Sequence, residues 1–220
     1  MLYLIFLVLT YKYKNNLYIY MKIALCAIAK NENLYIREWI NWYKNLGITK
    51  IFLYDNNDID GENFEDVIND YIKNGFVEII NVRGIEKGKV YDKDGVNLQP
   101  QCYVDCYKNK LSNFDWVCFF DVDEFLTFKN NFTLDKFLNH NMFKDSDTIL
   151  IPWVQYDDNN LLYYENLPVM KRFTHISNTT KHAVKSIVRC NKKFNDNNKG
   201  INCLIHCFLL NDKKIIKANG

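Results

Sequence analysis

The chain has 220 residues, of which 48% are hydrophobic, 15% aromatic and 25% charged, with a formal net charge of +2. A chain of this length buries a core without a disulfide or metal staple and reads as one domain, and its aromatic content with near-zero net charge excludes an intrinsically disordered polymer. The balance of 28 basic against 26 acidic residues leaves no electrostatic footprint for nucleic acid, and three prolines, eight glycines and no internal repeat exclude collagen-like, linker-rich and solenoid architectures.

The first apolar run, LYLIFLVL (residues 2–9), is far shorter than the roughly 20 residues of a membrane-spanning helix. No basic segment precedes it and no small-residue cleavage site follows it. Met21 opens MKIALCAIAKNE, the expected start of the folded domain, so residues 1–20 are read as a non-native or disordered extension and residues 21–220 as one unit. The alternative for 1–20 is a short anchor that touches a membrane surface.

From Met21 the pattern alternates. Lys22–Ala29 (KIALCAIA) is short and apolar, as a buried parallel strand is. Ile36, Trp39, Ile40, Tyr43 and Leu46 recur at helical spacing and end at Gly47, a C-terminal cap. Lys50–Asp55 predicts a second strand, and Phe64, Val67, Ile68, Tyr71 and Ile72 mark a helix face stopped by Gly75. Phe76–Val82 predicts a third strand. The glycine-bearing, charged stretch Gly84–Gly95 is the expected mobile segment. Pro100 opens a helix carrying Tyr103, Cys106, Tyr107 and Leu111, Asp115–Asp121 (DWVCFFD) is a fourth strand, and Thr133 caps a short helix with Leu134, Phe137 and Leu138.

Strands separated by helices argue for a parallel sheet with right-handed crossovers. After Thr148–Trp153 (TILIPW) the pattern changes: VKSIVRC, INCLIHCFLL and KIIKA read as strands with short connections, an antiparallel appendage on the parallel sheet. The expected fold class is therefore α/β, a mostly parallel sheet flanked by helices with a small antiparallel C-terminal part.

Seven cysteines, an odd number without a CxxC pair, sit in runs such as WVCFF and behave as reduced small hydrophobes. A zinc site from Cys102, Cys106, Cys203, His206 and Cys207 is the alternative, although CxxxC is not a usual structural spacing.

The most informative stretch follows the fourth strand, where the apolar run enters Asp121-Val122-Asp123-Glu124-Phe125. In extended backbone Asp121 and Asp123 point the same way, and paired carboxylates at a strand exit suit a hard divalent cation completed by phosphates and water. In open sheets ligands bind at the carboxyl ends of strands, which also directs attention to Ala29 and Asp55. A phosphatase of the haloacid-dehalogenase type shares the strand-DxD pattern, but it wants a small hydroxyl or branched residue where Phe125 stands and usually carries the motif on its first strand. A two-metal nuclease needs a basic face that composition does not supply. A catalytically silent sugar-nucleotide-binding module is the reading from another class.

Three segments carry a resemblance: NENLYIREWINWYKNLGITKIFLYDNNDIDG, QPQCYVDCYKNKLSNFDWVCFFDVDEFL, and IPWVQYDDNNLLYYENLPVMKRF with VKSIVR. They resemble glycosyltransferases of families 2 and 92, in order, from about Lys22 to His206. The resemblance implies the GT-A fold, a nucleotide-diphospho-sugar donor, a Mn²⁺ or Mg²⁺ ion, and a hexosyl transfer to a glycan or lipid-linked acceptor in surface polysaccharide synthesis. It places the protein in the cytoplasm, peripheral to the membrane. It implies Asp121, Asp123 and His206 as metal ligands. Ala29, Lys30, Asn31, Glu32, Asp55, Asp121 and Glu124 fall to the nucleotide sugar, with Asp55 on the base and Glu124 beside the sugar or orienting the loop. Asp157 and Asp158, in the loop after the fifth strand, are the candidates for the general base that takes the acceptor proton. Arg172 and Lys185 are candidate partners of phosphates or acceptor carboxylates. Trp153, Tyr156, Tyr163 and Tyr164 offer faces for a sugar, while His175 and His182 have no spacing that singles them out. The chain stops soon after His206, where relatives often continue, so a truncated or more open acceptor site is expected.

Overall fold

The computed structural model describes residues 21–85, 98–128, 133–158, 161, 163–176, 184–190, 201–204, 207–210 and 214–218. The expectations for residues 1–20, for most of the Gly84–Gly95 stretch, and for His182 and His206 lie outside them.

Strand β1 (Ile23–Ala29) sets the two layers through its period of two. Ile23, Leu25, Ala27 and Ala29 join one core, and Ala24 and Cys26 join the other. Against the first face packs helix α1 (Ile36–Leu46), which buries Ile36, Trp39, Ile40 and Tyr43, the i, i+3, i+4, i+7 set. Each such large apolar side chain stabilises the fold by roughly 1.5–3 kcal/mol on burial. The helix ends at Gly47 with φ 105°, a left-handed cap that glycine adopts without steric cost. Strand β2 (Lys50–Asp55) follows, then α2 (Glu65–Lys73), which buries Ile68 and Tyr71 on the same side, and β3 (Val77–Asn81).

Helix α3 (Leu98–Asn109) covers the second face with Cys102, Tyr103, Cys106 and Tyr107. It begins two residues before Pro100, which stays within the first turn where its missing N–H costs nothing. Strand β4 (Trp116–Phe119), α4 (Leu134–Leu138), β5 (Thr148–Pro152), α5 (Val169–Arg172) and β6 (Val184–Arg189) come next. Thr133 precedes α4 in extended backbone, but its buried hydroxyl bonds no backbone N–H there, so it is not the side-chain cap its position predicts.

The sheet has seven strands in the order β3-β2-β1-β4-β6-β5-β9, where β9 is Ile215–Lys217. β1 pairs in parallel with β2 and β4, β2 with β3, and β5 with β9, whereas β6 is antiparallel to both β4 and β5. The mostly parallel sheet and the antiparallel strands in its C-terminal part are as expected, but they do not form a separate appendage. β6 is inserted between β4 and β5, and β9 extends the main sheet in parallel. The run INCLIHCFLL is a hairpin, β7 (Ile201–Leu204) with β8 (Cys207–Leu210), in which Leu204 pairs with Cys207. Phe208 of β8 stacks on Phe119 at 4.7 Å and so closes the core under α3. Among the described residues no helix is long and apolar enough to cross a membrane.

This topology leaves the carboxyl ends of β1, β2, β4 and β5 at one edge. Because β6 runs the other way, its first residues, Val184 and Lys185, arrive at that same edge.

Candidate functional site

β4 runs out into the loop 120–126, and α1 holds that loop by the polar tips of its core aromatics. Trp39 Nε1 donates to the carbonyls of Asp121 and Glu124, both at 3.0 Å. Tyr43 donates its hydroxyl to the Glu124 carbonyl and accepts from Leu126 N–H, and Trp42 Nε1 donates to the Leu126 carbonyl. The Glu124 carboxylate accepts from Asp121 N–H at 3.0 Å while Glu124 N–H donates to the Asp121 carbonyl, closing the turn. Buried polar tips that find backbone partners are what let such large rings sit in a core.

The turn gathers Asp121, Asp123 and Glu124, whose nearest ligand atoms lie within 4.8 Å of one another. Lys185 reaches in from β6, 2.5 Å from Asp121 Oδ2 and 3.1 Å from Glu124 Oε1, with its own side chain only 6% exposed. Gln99 and Tyr103 of α3 donate to Asp121 Oδ1 at 2.5 and 3.2 Å. Asp121 and Glu124 are thus fully engaged by protein donors, whereas Asp123 is exposed. Burial, with Asp121 beside it, pushes the Glu124 carboxyl up to about 7 despite Lys185. Asp123 lines the cleft above this turn, and desolvation by the protein around it, with Asp121, raises its carboxyl too. Glu32, across from Asp123, is pushed up to about 6 by burial and then by Asp123 and Glu62. Three acids raised together mark a site whose carboxylates outnumber its one ammonium, Lys185. An all-oxygen donor set of this kind fits a hard divalent cation such as Mg²⁺ or Mn²⁺. Among the described residues Asp121, Asp123 and Glu124 are the group close enough to share a metal. Cys26, Cys102, Cys106, Cys118 and Cys190 are instead buried free thiols, and burial lifts Cys102 to about 12, as a packing role requires.

The exits of β1 and β2 lie alongside. Ala29 is buried in the sheet, its carbonyl accepting from Asn56 N–H. Lys30 pairs with Asp58 at 2.7 Å. Asn31 adopts φ 60°, and its N–H donates to Asn57 Oδ1 at 2.7 Å. Asp55 is 2% exposed and both its oxygens are taken, Oδ1 by Asn57 N–H and Oδ2 by Arg83 Nε at 2.7 Å. Arg83 also donates to the carbonyls of Asp58 and Glu62. Asp55 therefore acts in the fold as the anchor of Arg83 and of the 55–57 turn. The Nδ2 of Asn57, fully buried, has no partner.

A cleft of about 510 Å³ opens above the acidic floor, lined by Glu32, Asp123, Glu124 and Lys185 on one side and by residues 151–158 with Val169, Met170 and Phe173 on the other. Asp157 and Asp158 both line it. Asp157 Oδ2 lies 2.7 Å from His175 Nδ1, its N–H donates to the His175 carbonyl, and Tyr156 bridges Ile176. Asp158 is exposed. Trp153 and Tyr156 line the same wall, Tyr164 flanks Tyr35 at 6.4 Å, and Tyr163 is open to solvent. The structure thus brings Glu32, Asp123, Glu124, Asp157 and Asp158 to one cleft. Ala29, Lys30, Asn31 and Asp55 are grouped at the adjoining strand exits.

The model of Glycosyltransferase family 92 matches residues 22–216 of this chain. The chain belongs to glycosyltransferase family 92. A family 92 protein of Oryza sativa subsp. japonica is 30% identical over 119 residues, covering 53% of this chain and 18% of the rice protein. A family 92 protein of Arabidopsis thaliana is 27% identical over 107 residues, 49% of this chain and 16% of the relative. The chain thus spans less than a fifth of the length of these relatives. Among solved structures, S. aureus TarS 1–349 aligns with a TM-score of 0.44 at 15% identity, over 77% of this chain and 47% of that one, and TarS 1–349 in complex with UDP aligns at 0.43 and 13%.

Several members of this candidate site have no distinguishing mark in the sequence. Trp39, Trp42 and Tyr43 read as core positions, which they are, and their polar tips become visible only with the loop beside them. Gln99 and Arg83 sit in segments without periodicity, and Asn57 looks like one more residue of a turn-rich NNDIDG run. Lys185, by contrast, is one of the two cations singled out in the sequence, and it meets protein carboxylates.

Proposed function

We propose that this family 92 domain is a divalent-cation-assisted glycosyltransferase that moves a hexosyl group from a nucleotide diphosphate donor to a hydroxyl of a glycan or lipid-linked acceptor. The observation that supports it best is the acidic floor. The carboxyl groups of Asp121, Asp123 and Glu124 meet at the carboxyl edge of a mostly parallel sheet, Asp123 and Glu124 with raised affinity for protons, beneath a cleft large enough for a sugar that Glu32 also lines.

In this reading Asp123 holds the cation with Asp121 and Glu124 at its side, and His206 is the further ligand. When bound, the cation offsets the charge of the departing diphosphate. Lys185 anchors Asp121 and Glu124, lines the cleft, and adds positive charge toward the same phosphates. The nucleoside lies over Ala29, Lys30, Asn31 and Glu32, with Asp55 presenting Arg83 and Asn57 to it. On the opposite wall the Asp157–Asp158 pair takes the acceptor proton, Asp157 being held by His175. The work of this domain belongs to surface polysaccharide synthesis, in the cytoplasm and at the membrane surface.

Thermal shift with a panel of nucleoside diphosphates, with and without Mn²⁺, tests the reading on wild type and Asp123→Asn. Ligand at about 100 times its dissociation constant stabilises the native state by about 2.7 kcal/mol, a readily measured rise in melting temperature. The expected result is a rise for one nucleotide that needs Mn²⁺ and is lost in the variant, whose own folding is unimpaired. Folded protein that responds to no nucleotide overturns the transferase reading.

A further inference from the structure

The wall opposite the acidic floor holds a buried charge that the reaction above does not use. Arg172 ends α5 and is 6% exposed, yet its Nε and Nη2 have no hydrogen-bond partner. It has no ion pair among the described residues. Its guanidinium instead lies among three rings, 5.3 Å from the centroid of Tyr35, 5.1 Å from Tyr164 and 4.8 Å from Phe173.

Rings satisfy the faces of a guanidinium through their quadrupoles, but they offer nothing to its in-plane N–H groups. The two unpartnered nitrogens are also not an arbitrary pair. Nε–H and Nη2–H lie on one edge of the planar group and point in parallel, the fork that takes two oxygens of a carboxylate or phosphate at once. Leaving such donors unpaired inside a protein is costly, so a buried, unpaired fork with its faces already packed is set up for an acceptor from outside. It lies directly behind the cleft wall: Tyr35 and Phe173, two of its three rings, line the cleft, as do Val169 and Met170 of the same short helix. The covering ring, Tyr164, is itself 53% exposed and lies in an exposed run, residues 163–168. Displacing that ring uncovers the fork without opening a core.

We propose that Arg172 is the oxyanion receptor of the acceptor side of the cleft, binding a carboxylate or phosphate carried by an acidic acceptor while that acceptor's hydroxyl faces Asp157 and Asp158. The assignment rests on the transferase reading for the word acceptor, and on the fork alone for the anion. It makes the substrate class acidic: a uronic acid or a phosphorylated sugar, with a neutral sugar excluded as the preferred ligand.

The test titrates glucuronic acid, glucose 6-phosphate and glucose into the full chain, following the Arg172 Nε–Hε resonance by ¹H–¹⁵N NMR and affinity by calorimetry. At least one acid shifts the Arg172 resonance and glucose does not, and the acid that shifts it names the anion. Arg172→Lys, which keeps the charge and loses the fork, weakens that acid by about tenfold or more while its melting temperature stays near wild type. An Arg172 resonance unmoved by both acids, or moved equally by glucose, overturns the proposal. So does a folded Arg172→Lys that binds the acid as tightly as wild type. Should the lysine variant fail to fold, the wild-type resonance still decides. The nucleotide panel separates the two readings: an acid-selective Arg172 response in protein that binds no nucleotide keeps the anion site and removes the transferase, whereas nucleotide binding without that response removes the anion site alone.

Discussion

On the floor of the cleft both oxygens of Asp121 and both of Glu124 meet protein donors, from β6, from α3 and from the turn itself. On the opposite wall, beyond the end of β5 at Pro152 and as far as Ile176, the only ladder contact among the described residues is the Tyr156–Ile176 bridge. There Val154, Tyr156, Tyr163, Tyr164 and Leu167 are open to solvent and Arg172 is buried unpaired. The floor is organised in advance: its charges and hydrogen bonds are placed before any ligand arrives, so it suits groups whose charge must be met without rearrangement. The wall leaves the Arg172 fork unpaired and its aromatic rings exposed, as a surface does when it is completed by a partner. The two sides of one cleft thus divide the labour between fixed electrostatics and adaptable recognition.

Three perturbations break or sharpen that contrast. The largest effect is expected on the wall's chemistry. If Asp157 or Asp158 is the base, the corresponding Asn variant loses roughly 10²–10⁴ in turnover, with little change in melting temperature because both residues lie toward solvent. Assays of each single variant check this, and full turnover in both would leave the wall a recognition surface only.

On the floor, Lys185→Met removes the ammonium from between two carboxylates and leaves them facing each other. The expected cost is about 3 kcal/mol in urea unfolding, the scale for breaking a buried ion pair on one side. Combining it with Glu124→Gln recovers part of that loss, because one of the stranded charges is gone. A Lys185→Met protein as stable as wild type would mean that the floor is not held by this contact.

The smallest effect is in the pH dependence. Glu124 rises from 4.5 to about 7 and Glu32 from 4.5 to about 6, so between those values the folded chain holds protons that the unfolded chain has released. Stability from these groups is therefore full below about pH 4.5 and is lost as pH rises toward 7, the sign opposite to that of a salt-bridged carboxylate. The slope reaches at most about 1.4 kcal/mol per pH unit for each group. Unfolding midpoints from pH 5 to 7.5 should fall in wild type and flatten in Glu124→Gln, and a wild-type midpoint that climbs over this range refutes the raised values. Saturating Mn²⁺ reverses the trend, since a cation on the floor favours the ionised forms.

The contrast also explains what could be read without coordinates. The helix face of Ile36, Trp39, Ile40 and Tyr43, the cap at Gly47, the stop at Gly75, and the strands ending at Ala29 and Asp55 are local patterns, and each appears where its period places it. The fourth strand, read over Asp115–Asp121, is shorter, Trp116–Phe119, and leaves its acids in the following turn. The Asp121–Glu124 cluster was legible because an apolar strand running into three acids is conspicuous. The hairpin of β7 and β8 was not, because INCLIHCFLL has no Gly, Pro or Asn-Gly at its bend and composition alone does not divide a continuous apolar run. The strand β6 was recognised as a strand, but its insertion between β4 and β5 was invisible, since periodicity reports which face is buried and not which neighbour buries it.

By itself, then, the sequence determined the alternation of strands and helices, the acidic strand exit and the family 92 relationship that residues 22–216 express. Only the tertiary structure decided that Lys185 would meet Asp121, that Trp39 and Tyr43 would pin the loop, that Asp55 would be occupied by Arg83, and that Arg172 would lie among three rings with its fork unpaired. Most of these contacts join residues dozens of positions apart and are set by strand order and by the antiparallel insertion of β6. A local pattern encodes the face a residue presents, whereas the partner it meets is chosen by how the whole sheet is assembled.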